Sequence, residues 1–267
     1  MNDLEIFIPT RDRINFLDES IQSALKNVDK KSVYVVDNST YNHKEVESLA
    51  LSYGVNYIAP VGDLNIWQNW NRCFDLAKSK YVAILGDDDT LSPTYVENFA
   101  YVLEQYGDLD LYACSLYFIN TEGKRICNKF FYWPTGYYNS RQKLVNLSSL
   151  YDIGFPSVSA IYRSGANFRF DEFGQDSNDW SGIYKSEVLE KYFINETKDY
   201  NYRKHAAAIT MKTDLMNSRR RFQAELCKDL SRISSFPYSV LWFLRSVLRS
   251  SNRRVCRKIN LILTKKC

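Results

Sequence analysis

The stretch Lys80-Tyr81-Val82-Ala83-Ile84-Leu85-Gly86-Asp87-Asp88-Asp89-Thr90-Leu91-Ser92-Pro93 carries an apolar run straight into three adjacent carboxylates. The run Tyr81–Leu85 has the length and composition of a strand buried on both faces, and Pro93 opens a helical pattern with Val96, Phe99, Ala100 and Leu103. Three carboxylates in a row repel one another unless a cation or water compensates. At the end of a strand they suit a hard divalent cation such as Mg2+ or Mn2+ that in turn grips a diphosphate. A solvated acidic turn capping the next helix fits the same residues, because Asp favours both roles.

The pattern repeats on the N-terminal side. Leu4–Ile8 reads as a strand ending near Pro9, and Ile14, Leu17, Ile21, Ala24, Leu25 and Val28 follow at helical spacing. Val33–Val36 is a β-branched strand that runs into the polar cluster Asp37-Asn38-Ser39-Thr40. A helix over Glu45–Tyr53, a strand over Val55–Ile58 and a helix over Ile66–Ala77 complete the approach to Tyr81. This alternation predicts an α/β fold with a mostly parallel, Rossmann-like central sheet and helices on both faces. Ligands of such sheets bind beyond the carboxyl ends of the strands, where the polar clusters after Ile8, Val36 and Leu85 fall. Beyond residue 108 the pattern loosens. Strands are expected at Leu109–Ile119 and Ser157–Tyr162, and a helix from Trp180 through Ile183, Val188 and Leu189.

Composition sets the outer limits. The chain has 267 residues, 45% hydrophobic and 25% charged, with 10 Gly and 6 Pro, which excludes a disordered or collagen-like polymer. Between Leu230 and Cys267 nine residues are Lys or Arg and none is Asp or Glu, so with a net charge of +4 the preceding part carries −5. A basic tail on an acidic body points to a polyanionic partner. Val240-Leu241-Trp242-Phe243-Leu244 beside Arg245 and Arg249, then Val255, Ile259 and Leu263 among Arg253, Arg254, Arg257 and Lys258, reads as helix lying in an anionic membrane interface. A helix packed on the body is the alternative. No recognition motif supports nucleic acid. The six cysteines have no metal-ligand spacing. No signal peptide is legible at Met1, which leads to the expectation of reduced thiols and a cytoplasmic enzyme, peripheral on the inner face of the membrane. The sequons at Asn146 and Asn195 then carry no meaning.

Four segments in order resemble the family 2 glycosyltransferases, with their nucleotide-sugar-binding GT-A fold. They are Ile8-Pro9-Thr10-Arg11-Asp12-Arg13, Val35-Val36-Asp37-Asn38-Ser39-Thr40, Asn65 through Leu85, and Asp87-Asp88-Asp89 at the position of the DxD-type motif; together they span about the first 100 residues. The resemblance implies a metal-dependent inverting enzyme moving a sugar from a nucleotide-sugar donor to a hydroxyl. Its acceptor would be a surface glycan of the O-antigen or lipopolysaccharide kind, lipid-linked at the membrane. Donor contacts would come from Pro9, Thr10, Arg13, Asp37 (toward the base), Asn65, Arg72, Asp87 and Asp88. Metal ligands would come from Asp88 and Asp89, with His205 as a late ligand, and the metal would be Mn2+ or Mg2+. Gly86 stands where the family commonly has Asp, and Trp67, Trp70 and Asn71 replace a glycine-containing helix start.

Trp67 and Trp70 share a helical face and suit core packing, Arg72 suits a surface ion pair equally well, and a lone His is more often structural. The segment Phe170 through Trp180 resembles the stretch that ends in an acidic pair before a helix, which makes Asp179 the general base and Asp176 the runner-up; as a helix N-cap Asp179 would serve equally well locally. The implied organisation is a nucleotide-sugar half over 1–108, an acceptor half over 109–229, and a basic helical tail over 230–267. Two other readings stay open on the residues alone. A sugar nucleotidyltransferase would carry a Gly-rich loop where Pro9–Arg13 has none, and a non-catalytic nucleotide-binding scaffold would keep the fold without turnover.

Overall fold

The computed structural model describes residues 3–127, 135–151, 157–170, 182–183, 186–205, 227, 230–232 and 234–250. The chain divides into two compact units: Met1–Asn139 with Pro156–Gly174 and Ser186–Ala206, and Ser140–Phe155 with Gln175–Lys185 and Ala207–Cys267.

The first unit is built on one sheet. Strands β1 (Leu4–Thr10), β2 (Val33–Asp37), β3 (Asn56–Ile58) and β4 (Tyr81–Ile84) are mutually parallel in the order β3-β2-β1-β4. Beyond β4 the order continues through β9 (Ile161–Arg163), β6 (Leu111–Ile119), β10 (Tyr192–Arg203) and β5 (Thr90–Leu91), with β7 (Arg125–Cys127) on β6 and β8 (Gly136–Tyr138) on β10. Strands β9, β5, β7 and β8 pair antiparallel, whereas β6 and β10 are parallel to each other. Helices α1 (Leu17–Leu25), α2 (His43–Tyr53), α3 (Ile66–Leu76) and α4 (Tyr95–Tyr106) lie around the sheet.

Strand β1 is buried at every residue, as a central parallel strand covered on both faces must be. Burial of Leu4, Ile6, Phe7 and Ile8 contributes about 1.5–3 kcal/mol each. The helix ends follow from short-range chemistry. Gly54 ends α2 in the left-handed conformation at φ 67°. Asn65 caps α3, accepting from the backbone of Trp67 and Gln68 while the Gln68 side chain returns to the Asn65 backbone, a complete capping box. Trp67, Trp70 and Phe74 on α3 pack with Phe168 and Phe170 in an aromatic cluster.

Two expectations fail beyond residue 108. The strand expected at Ser157–Tyr162 is a 3-10 turn at Ser157–Ser159 followed by β9. The helix expected to run through Val188 and Leu189 is absent from 186–191. There the Asp110 carboxylate accepts from the backbone of Glu190 and Lys191 at 2.9 Å each, and Lys191 O accepts from Asp110 N and Leu111 N. That clamp starts the β6–β10 pairing and outweighs local helical spacing. Strand β10 itself was not anticipated. Its polar centre Asn195–Asp199 breaks the apolar alternation, and the register shifts around Lys198 absorb the irregularity.

In the second unit, α5 (Arg141–Tyr151) packs on the helix Tyr238–Ser250. Trp242 is buried and donates from Nε1 to Val145 O at 3.2 Å. The Asn146 amide donates to Ser235 Oγ at 2.8 Å and accepts from Ser235 N at 3.2 Å. Among the described residues no helix is long and apolar enough to cross a membrane. Cys73, Cys114 and Cys227 are buried.

Candidate active site

Strand order reverses at β1, so the carboxyl ends of β2, β1 and β4 lie side by side, and Thr10 stands opposite Asp37. Gly86–Asp89 turns out of β4 at this edge, closed by Asp89 N donating to Gly86 O at 3.1 Å. Gly86 lets the turn fold back on itself: a Cβ there would stand 2.9 Å from Asp89 Oδ2 and 3.2 Å from Asp88 Oδ1.

Each aspartate has a different environment. Asp87 is buried, accepting from Thr10 Oγ1 at 2.7 Å and from Arg13 through both carboxylate oxygens. Burial pushes Asp87 up to about 6 against the downward pull of Arg13. Asp89 is buried too, accepting from Tyr200 Oη at 2.7 Å and Arg203 N at 2.7 Å. Burial, then the neighbouring Asp88, hold it well above the usual carboxylate range. Asp88 alone of the three reaches solvent, with 16% of its side chain exposed. Its Oδ2 meets Arg13 Nη1 at 3.1 Å and His205 Nε2 at 2.9 Å. Burial works against the Arg13 charge, but Asp87 and Asp88 together hold its guanidinium above its ordinary range.

Asp88 Oδ2 and His205 Nε2 are hydrogen-bonded at 2.9 Å, and a carboxylate oxygen and an imidazole nitrogen are both donor types that a small divalent cation accepts. Both oxygens of Asp87 and of Asp89 are already engaged. Among the described residues no group of three or more His, Cys, Asp or Glu is arranged to hold an ion. Asp88 and His205 are the protein groups among the described residues that would hold a divalent cation here.

On the β2 side, Asp37 is fully buried and shapes its own turn: Ser39 N donates to Oδ1 at 2.8 Å and Tyr57 Oη to Oδ2 at 2.9 Å. Burial, then Asp37, push the Tyr57 phenol upward. Arg72 donates to the backbone carbonyls of Asp37 and Ala59, and burial pulls its pKa down. Asn38 N donates to Thr10 O at 2.9 Å and ties this turn to β1. Pro9 is buried within β1 opposite Val36.

Thr10, Arg13, Asp87, Asp88, Asp89 and His205 thus come together. Asp37 and Arg72 form a second group beside them, and Asn65 spends its side-chain oxygen on the cap of α3. Asp176 and Asp179 lie outside the described residues. Sequence reading did not anticipate Tyr200 or Arg203, whose only signal was a polar, irregular strand. Nor did it anticipate Ser20, whose hydroxyl donates to Asp89 O at 2.7 Å.

Residues 5–163 match the family described as Glycosyl transferase family 2, a span from β1 through the aspartates to β9 that stops before β10. An uncharacterized glycosyltransferase of Methanocaldococcus jannaschii is 25% identical over 253 residues, covering 87% of this chain and 84% of its own. TarS 1–349 of S. aureus in complex with UDP-GlcNAc superposes with a TM-score of 0.66 at 12% identity, over 92% of this chain and 72% of its own. A longer TarS chain gives a TM-score of 0.59 at 13% identity, and this chain spans only 39% of its length. At these identities the structural likeness establishes the fold, which is the GT-A arrangement. With more than half of its length matched, the chain belongs to glycosyl transferase family 2 and is a glycosyltransferase.

Proposed function

We propose that this glycosyltransferase is a metal-dependent inverting enzyme that moves a sugar from a nucleotide-sugar donor to a hydroxyl of a lipid-linked surface glycan. The observation that carries the reading is the Asp88–His205 pair, 2.9 Å apart at the carboxyl end of the sheet, with Arg13 on its flank. The nucleoside lies against the Asp37–Thr40 turn, which Asp37, Tyr57 and Arg72 hold in shape. Thr10 and Arg13 fix Asp87 and with it the turn that presents Asp88. Asp88 and His205 would hold Mn2+ or Mg2+, which would offset the charge growing on the departing diphosphate. Asp179, or Asp176 in its place, takes the proton of the acceptor hydroxyl as that oxygen attacks the anomeric carbon from the face opposite the leaving group, and this inverts the centre.

The lipid-linked acceptor, and a station on the inner face of the cytoplasmic membrane, are supported by the acid-free stretch from Leu230 to Cys267 with its nine basic residues. The exposure of Phe236, Val240 and Leu244 beside the inward-facing Trp242 adds to that support. UDP-GlcNAc, the ligand in one TarS structure, is the first donor to try.

The test is release of nucleoside diphosphate from UDP-, dTDP- and GDP-sugars, and of CMP from CMP-sugars, with Mn2+, Mg2+ or EDTA, beside the Asp88→Ala protein. Release from one donor that needs metal and disappears in the variant is expected. Wild-type rates in Asp88→Ala, or full activity in EDTA, would overturn the metal-dependent reading.

A further inference from the structure

Arg203, the last residue of β10, is a fully buried cation, and each of its three side-chain nitrogens donates a hydrogen bond. Its Nε donates to the backbone carbonyl of Asp88 at 2.7 Å. Nη1 donates to the carbonyls of Asn120 and Thr121 at 3.1 and 3.2 Å, and Nη2 to Glu19 Oε2 at 2.6 Å. The guanidinium also lies over the Phe16 ring, 4.5 Å from its centroid, and that ring meets the His205 imidazole at 5.1 Å. The backbone N–H of Arg203 holds Asp89. One side chain therefore touches the main chain of Asp88 and, through Phe16, the ring of His205, while touching neither of their functional atoms.

Stability alone is a poor reason for this arrangement. A buried guanidinium carries a desolvation cost, and its one counter-charge among the described residues, Glu19, has half its side chain exposed. What the fork does supply is geometry. Its planar donors join α1, the turn after β6, the aspartate turn and the end of β10, four pieces that approach the site from different parts of the chain.

We infer that Arg203 is a positioning residue, which sets the spacing of Asp88 and His205 by gripping the Asp88 carbonyl on one side and the Phe16–His205 stack on the other. This rests on the reading of Asp88 and His205 as the metal-holding pair, and the test separates the two. The chain has only two histidines, His43 and His205, so 13C-labelled histidine gives two ring signals, assigned with His43→Gln. In Arg203→Lys, which keeps the charge and loses the fork, the His205 signal should move toward that of an unconstrained histidine while circular dichroism stays native. The Mn2+ concentration giving half-maximal broadening of the His205 signal, with UDP present, should rise about tenfold, the scale on which support residues act on metal ligands. The half-activating Mn2+ concentration should rise alongside it, with kcat at saturating metal reduced much less.

A folded Arg203→Lys protein with wild-type His205 signal and wild-type Mn2+ response overturns the proposal. If that variant does not fold, Glu19→Ala decides, because it removes the acceptor of Nη2 at a half-exposed site without emptying the core; an unmoved His205 signal there overturns the proposal equally. A moved signal in a protein whose wild type shows no Mn2+ response leaves Arg203 in its positioning role and removes the metal reading instead.

Discussion

Arg13 holds two carboxylates at the edge of the sheet, and its loss has a calculable sign. Arg13→Gln leaves only the Thr10 hydrogen bond to oppose burial and Asp88 at Asp87, so its carboxyl rises further above about 6. Unfolded, the same carboxyl titrates near its ordinary value, about 3.9. A group that holds its proton to higher pH in the fold than in the open chain makes stability fall as pH rises across that interval. The melting temperature of Arg13→Gln should therefore drop more steeply than that of the wild type between about pH 5 and about pH 7.5. Parallel profiles in thermal denaturation would contradict this. Gly86 makes the complementary prediction from sterics. Gly86→Ala brings a methyl to 2.9 Å from an Asp89 oxygen that Tyr200 already holds, so the turn must shift at a cost of about 1–3 kcal/mol. Chemical denaturation measures that cost. The three aspartates are legible in the sequence as a metal-type cluster, but their division of labour is not. Asp88 keeps solvent access only because Thr10, Arg13, Tyr200 and Arg203 occupy its neighbours, and those partners lie as far as 114 residues away.

Among the elements, α3 carries two separable roles. Asn65→Ala should lose about 1 kcal/mol of stability through the open cap, and Asn65→Asp, which can still cap, should keep it. If the donor KM follows stability in both variants, the cap accounts for Asn65; a KM that rises in Asn65→Asp would show a direct donor contact. Asn71, two turns inside the same helix, donates to Phe170 O and accepts from Phe170 N at 2.8 Å each, while buried. Asn71→Ala leaves both backbone groups unpaired and should cost about 2–4 kcal/mol, read by thermal or urea unfolding. The capping residue could be read locally. The Asn71 contact could not, because it joins positions 99 residues apart.

For the molecule as a whole, charge distribution makes the prediction. With nine basic residues and no acidic one after Leu230, binding to vesicles should need anionic lipid and weaken steeply with salt. Each basic residue close to the surface adds about 1 kcal/mol. Co-sedimentation with phosphatidylglycerol-containing and pure phosphatidylcholine vesicles tests this on the full chain, and equal binding to both would remove the electrostatic argument. Replacement of the exposed Phe236 and Leu244 by Asp should reduce binding further without lowering the melting temperature, since neither side chain is in the core.

The sequence by itself determined the parallel half of the sheet and the acidic turn after β4. Each rests on short-range signals: apolar runs as long as a strand, helical spacing between them, and Asp, Asn and Gly at the turns. Tertiary structure alone decided the second half. Strand β10 forms where local pattern argues against a strand, because Asp110 clamps its entry and β6 supplies a parallel partner along its length, with register shifts around Lys198. Its far end then delivers Tyr200, Arg203 and His205 to the aspartates. No periodicity in the chain encodes that meeting, because the contacts that hold it are long-range hydrogen bonds between buried polar groups, made only once the sheet has closed.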